Sequence, residues 1–204
     1  FRDPQGRAAA FDRAANPAST TPVQGTSYWV DLDVTKMVQG WVNSPGGNVG
    51  MILKSYDVVG VQYNFASSEF WNATLRPRLT VRHTAGGAAP TVAPTATPTQ
   101  APATATPTAT HTPTLVPPTP THTPIPAGQE QTVIFQRGYE GYNGVTDSFL
   151  DGWSLDSNYG SYNQMWIRSG EWMQPVLRFD VSAIPANAAG TQATLSLFVN
   201  SSSN

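Results

Sequence analysis

Gln192-Ala193-Thr194-Leu195-Ser196-Leu197-Phe198-Val199 is the stretch on which the fold turns. Ala193, Leu195, Leu197 and Val199 fall on one face. Thr194, Ser196 and Phe198 fall on the other. That period of two is the mark of a strand with one buried side. Shorter runs of the same kind lie on either side of it. Before it come Gln131 to Gln136, Met165 to Arg168 and Pro175 to Val181, with Val176, Leu177 and Phe179 as core candidates. Ser148 to Leu150 pairs only briefly in this reading. Far upstream, Tyr28 to Leu32, Gly50 to Tyr56, Val58 to Phe65 and Leu79 to Arg82 read as strands, with the third expected to partner the second. Turn-forming Gly, Pro, Asn and Asp separate them. Short strands at close spacing predict an all-β chain, an antiparallel sandwich of jelly-roll type.

One helix interrupts the pattern. Val34, Met37, Val38 and Trp41 recur at i, i+3, i+4, i+7, the stripe of a short amphipathic helix, and Asp33 stands where an N-terminal cap belongs. Phe1 to Thr26 shows little periodicity and reads as loop, and Ser201 to Asn204 ends the chain with no closing strand.

The two groups of strands are separated by a tether. From Thr84 to Gln129 there is no Asp, Glu, Lys or Arg, and most of the chain's 18 prolines lie here, spaced by Thr and Ala. Proline fixes φ and removes backbone donors, so neither helix nor sheet propagates. The few apolar side chains cannot offset the entropy of ordering the segment. A stiff polyproline-II-like linker is expected, reaching on the order of 130 Å when extended. The organisation that follows is 1–83, a linker at 84–129, and 130–204.

Composition narrows the rest. The charged fraction is 12% and the net charge −2, and neither side has the strong basic excess that nucleic acid or an anionic membrane attracts. No apolar run approaches the length of a membrane span. Cysteine is absent, which removes disulfides and thiolate sites. The chain opens at Phe1 without an initiator methionine and is expected to be a fragment, so a missing leader says nothing against secretion.

The motifs of the two sides resemble two different parts of one family, the secreted DNRLRE-type β-sandwich module related to carbohydrate-binding module family 96. Gly141 to Asp147 with Phe149-Leu150, Asn158-Tyr159-Gly160, Leu177-Arg178-Phe179-Asp180-Val181-Ser182 with Ile184-Pro185, and Ala193 to Leu197 resemble its N-terminal half. Asp33-Val34-Thr35 with Val38 and Trp41, Phe65 to Glu69, and Arg76-Pro77-Arg78-Leu79-Thr80-Val81 resemble its C-terminal half. The resemblance implies structural roles for Asp33, Thr35, Trp41, Arg76, Pro77, Asp147, Asn158, Gly160, Phe179 and Asp180. The order is inverted, C-terminal half first, and the family's central segment is missing. Two arrangements account for this: a fragment straddling two tandem modules, or a permuted domain whose second part pairs back onto the first across the tether.

Catalytic signals are weak. His83, His111 and His122 lack zinc-ligand spacing. Asp147, Asp151 and Asp156 share the loops of the second side, where carboxylates could hold Ca²⁺, but the EF-hand spacing is absent and solvated turn residues explain them as well. No other cofactor is implied. Trp153, Tyr159, Tyr162, Trp166 and Trp172 form a dense aromatic set in or near loops. Flat aromatic faces stack on sugar rings, so Trp153, Tyr159, Tyr162 and Trp172 are the candidate polysaccharide contacts, with core or turn packing as the competing role for each. Asn72-Ala73-Thr74 and Asn200-Ser201-Ser202 fit the N-glycosylation pattern, and the Thr-rich linker suits O-glycosylation. The expectation is a non-catalytic polysaccharide-binding module on a secreted or cell-surface protein, with no nucleic acid partner and no membrane span. The alternative is an assembly module of a surface fibre or adhesin, built by strand complementation between copies of the chain.

Overall fold

The computed structural model describes residues 16–56, 60–84 and 129–203. Most of the linker, Phe1 to Ala15 and Asp57 to Val59 lie outside the described residues. The fold is all-β: among the described residues, one curled, wholly antiparallel nine-stranded sheet forms a sandwich-like body with a single α-helix. The strands before the linker are β1 (Tyr28–Asp33), β2 (Met51–Ile52), β3 (Gln62–Ala66) and β4 (Arg78–Thr84). Those after it are β5 (Glu130–Phe135), β6 (Val145–Asp151), β7 (Gln164–Arg168), β8 (Met173–Phe179) and β9 (Ala189–Ser203).

The long strand β9 is the spine. Ala193, Leu195, Leu197 and Val199 are all buried, as their alternation predicts. Strand β1 lies along one edge, with Leu32 opposite Leu195 and Val30 opposite Leu197. On the other edge β4 pairs first, with Leu79 opposite Leu195 and Val81 opposite Ala193. From Val199 that edge passes to β3, with a register shift between Asn64 and Phe65. Such a bulge bends the strand it interrupts, in keeping with the curl of the sheet here. The strand runs to Ser203, beyond the expected end at Val199, because Ser201, Ser202 and Ser203 face Asn64, Tyr63 and Gln62.

The sheet then continues through β7, paired with β3, to β8, which carries β6 on one side and β2 on the other. Two expectations fail here. The described part of Val58 to Phe65 does not partner Gly50 to Tyr56. That part, β3, pairs with β7 and β9, and the regular strand at 51–52 pairs with β8. Strand β6 is also seven residues long, not a brief pairing, because Val145, Asp147, Phe149 and Asp151 all turn inward. Two aspartates on the buried face hide the alternation.

Helix α1 (Thr35–Asn43) buries Val38, Trp41 and Val42. Its cap position is Val34, not Asp33, but Asp33 still acts at this end: its Oδ1 accepts the Thr35 N–H at 2.9 Å. Thr35 in turn ties the helix to β9, its Oγ1 accepting the Ala193 N–H at 3.0 Å. Gly50 enters β2 with φ of +88°, and a side chain there would meet the Leu177 carbonyl at 2.6 Å, so only glycine fits.

The boundaries read at 84 and 129 coincide with the end of β4 and the start of β5. Within this chain, however, the two sides form one body. Each described strand before the linker pairs, among the described residues, only with strands after it: β1 with β9, β2 with β8, β3 with β7 and β9, β4 with β5 and β9. One core joins them, including Val38, Trp41, Phe65, Leu79, Phe135, Phe179 and Leu195. The described strands of the second part thus pair back onto those of the first.

Candidate functional site

The aromatic residues of the second side separate into two groups with different surroundings. The first sits on the face of β6. Tyr159 stacks on buried Phe149 with ring centroids 4.1 Å apart, and its hydroxyl donates to Asp151 Oδ2 at 2.7 Å. Tyr162 meets Phe149, Tyr159 and Trp166 edge-on, while its backbone carbonyl accepts the Ser67 hydroxyl at 2.6 Å. Trp166 stacks on Phe149 at 5.2 Å. Tyr159 therefore has one face and its hydroxyl committed to the fold, and Tyr162 retains the more open ring.

The second group is built at the β7–β8 turn. Gly170 and Glu171 both take positive φ, 73° and 62°, which reverses the chain within three residues. That tight turn sets Trp172 beside Trp153, the two rings parallel within 1° and 5.1 Å apart. Parallel offset stacking holds both indoles rigid at low entropic cost. The Gly152 N–H donates to the Trp172 carbonyl at 2.8 Å, and the Trp153 N–H donates to Asp151 Oδ1 at 2.9 Å, fixing both backbones. The Arg168 guanidinium lies over the Trp153 ring at 5.3 Å. Trp153 remains 54% exposed and Trp172 38%.

The far wall comes from across the linker. Ser55, Tyr56 and Gly60 join Trp153, Arg168, Glu171 and Trp172 around an open depression of about 570 Å³. Lys54 forms an ion pair with Glu171 and lies 5.7 Å from the Tyr56 ring centroid. Tyr56 is 65% exposed. The result is a set of flat apolar faces rimmed by a guanidinium, an ammonium and a carboxylate. Sequence reasoning named Trp153 and Trp172 but not Tyr56, Arg168, Glu171 or Lys54. The signal for them is tertiary, since Tyr56 and Lys54 reach the site only through the pairing of β2 with β8.

The acidic candidates are not gathered. Asp147 is buried, and its Oδ2 accepts the Ser68 N–H at 2.6 Å. Burial raises its pKa above the usual 3.8, against the hydrogen bonds from Ser68 and the charge of Arg137. Asp151 holds Trp153 and Tyr159, and Asp156 is exposed in the following loop. Among the described residues no group of three or more His, Cys, Asp or Glu side chains is placed to hold a metal ion.

The remaining motif residues lie in structural positions. Arg76 donates from Nε to the Phe70 carbonyl at 2.8 Å and from Nη1 to the Arg137 carbonyl at 3.2 Å, while Pro77 is buried beside it. Asn158 Oδ1 accepts the Gly160 N–H at 2.9 Å in a tight turn. Asp180 Oδ1 accepts the Ser182 N–H at 3.0 Å, which holds its pKa below the usual range, and Phe179 beside it is fully buried. Burial, and then the Asp180 charge, push the Tyr142 phenol far above its usual value. No helix among the described residues is long and apolar enough to cross a membrane. A scan against protein-family models finds no match, and comparisons with curated proteins and with solved structures find none either.

Proposed function

We propose that this chain is a non-catalytic polysaccharide-binding module of a secreted or cell-surface, multi-modular protein. The observation that carries this reading is the exposed, rigid Trp153–Trp172 pair with Tyr56 across an open depression. Sugar rings present C–H faces that bury against indole and phenol rings. Their hydroxyls need donors and acceptors at the edge, which Arg168, Lys54 and Glu171 supply. The site is shallow and open, as suits a chain passing over it. The non-catalytic part of the reading rests on Asp147 and Asp151 being engaged with Ser68, Trp153 and Tyr159. The motif resemblance and the Thr/Pro tether, a spacer between modules, favour the same reading.

The test is affinity electrophoresis of the chain through gels carrying neutral and acidic polysaccharides. Retention on at least one is expected. Trp172→Ala should weaken it roughly tenfold, the equivalent of about 1.4 kcal/mol. Trp71→Ala, at a ring 77% exposed on another loop, should leave it unchanged. Absence of retention on every polysaccharide sinks the reading.

A second reading, assembly between copies, is favoured by a separate observation: every described strand before the linker pairs across it.

A further inference from the structure

Among the described residues, segment 16–84 has no sheet of its own. None of β1, β2, β3 and β4 pairs with another of the four, and each is held only by strands of 129–203. The second segment is different, since β6 and β7 both pair with β8 inside it. It leaves both edges of β9 and one edge of β5 to be filled by the first. We propose that this surface accepts segment 16–84 from a second copy of the same chain, so that copies assemble by exchanging it.

Three features favour a second copy as the occupant. The first is connectivity. Thr84 and Glu130 are direct partners in the β4–β5 register, yet residues 85–129 connect them. A hairpin at this place needs only about two to five residues. Lengthening a connection adds little closure entropy but dilutes the tethered segment, to an effective concentration of roughly millimolar or below. A free copy at comparable concentration then competes with the tethered one. The second feature is identity of contacts. The exchanged assembly reproduces every strand pair and core contact and differs only in which linker carries the segment.

The third is charge. Lys and Arg outnumber Asp and Glu before the linker, and the reverse holds after it. Ion pairs Lys54–Glu171, Arg82–Glu130 and Arg137–Glu69 each join the two segments. In two of the three the cation lies on the first segment and in the third on the second, and this pattern of complementary charges sets the register of the two surfaces. The inference rests on how the two segments pair and connect, and stands apart from the polysaccharide reading, which needs only the completed site.

The parent chain has no cysteine, so single cysteines report the exchange directly. Arg82 and Thr132 are exposed register partners on β4 and β5. Full-length Arg82→Cys and full-length Thr132→Cys chains are mixed, unfolded in urea and refolded together from roughly 10 μM to about 1 mM, the range that brackets the effective concentration. They are then oxidised and run without reductant. A disulfide-linked heterodimer that grows with concentration and exceeds the dimer in either chain refolded alone is expected. Cross-linking no greater in the mixture than in the unmixed chains, with monomers throughout, overturns the proposal.

Discussion

Asp147 shows how one residue carries two messages. In the sequence it looked like a loop carboxylate and a weak cation ligand. In the structure it lies on the buried face of β6 and joins the segments by accepting the Ser68 N–H. Its raised pKa means that the folded state holds the proton more tightly than the unfolded one. The unfolding free energy therefore falls as pH rises from the unfolded pKa near 3.8 through the folded value, then levels. Asp147→Asn keeps an acceptor for Ser68 and removes the titration. Urea titrations of parent and variant should show the variant gaining on the parent as pH climbs from about 4 toward neutral. A gap that narrows over that range would contradict the assignment.

At the scale of elements, β9 decides most. Its alternation was plain in the sequence because every inward position from Ala193 to Val199 is aliphatic. Its neighbours β1, β4 and β5 were equally legible. Leu195 lies between Leu32 on one side and Leu79 on the other. Leu195→Ala should cost about 2–5 kcal/mol in urea denaturation, while Thr194→Ala, exposed on the opposite face, should stay within about 0.5 kcal/mol. Equal effects from the two would show that the strand does not bury one face as described. β6 was read short because Asp147 and Asp151 interrupt its apolar face, and burial of paired carboxylates is not something periodicity reveals. β3 was given the wrong partner because neighbouring strands pair with each other more often than not. Here the two hydrogen-bonding edges of β3 are taken by β7 and β9. The candidate site divides in the same way. Trp153 and Trp172 stood out as aromatic loop residues, but Tyr56 and Arg168 gained a role only when β2 and β7 were placed beside them.

For the whole molecule, strand pairing across the linker makes one cooperative unit of two distant segments. Core truncation in one segment should therefore loosen the other. Leu79→Ala in β4 should lower hydrogen-exchange protection along β6 and β8, although neither touches β4 in the sheet order. Protection in β6 and β8 that survives unchanged would mean the second segment stands without the first. The long connection also predicts slow folding, since most strand pairs join residues far apart in sequence.

The sequence by itself determined the class of the fold, the short helix and the aromatic richness of the second side. These follow from local physics: side-chain period and composition. Only the tertiary structure decided that the segments complete each other, that β9 lies between β1 on one edge and β4 and β3 on the other, and that Trp153 and Trp172 face Tyr56 across a depression. An antiparallel strand offers the same backbone donors and acceptors to any partner. Its choice rests on which apolar faces and charges meet across the body, and that matching is non-local.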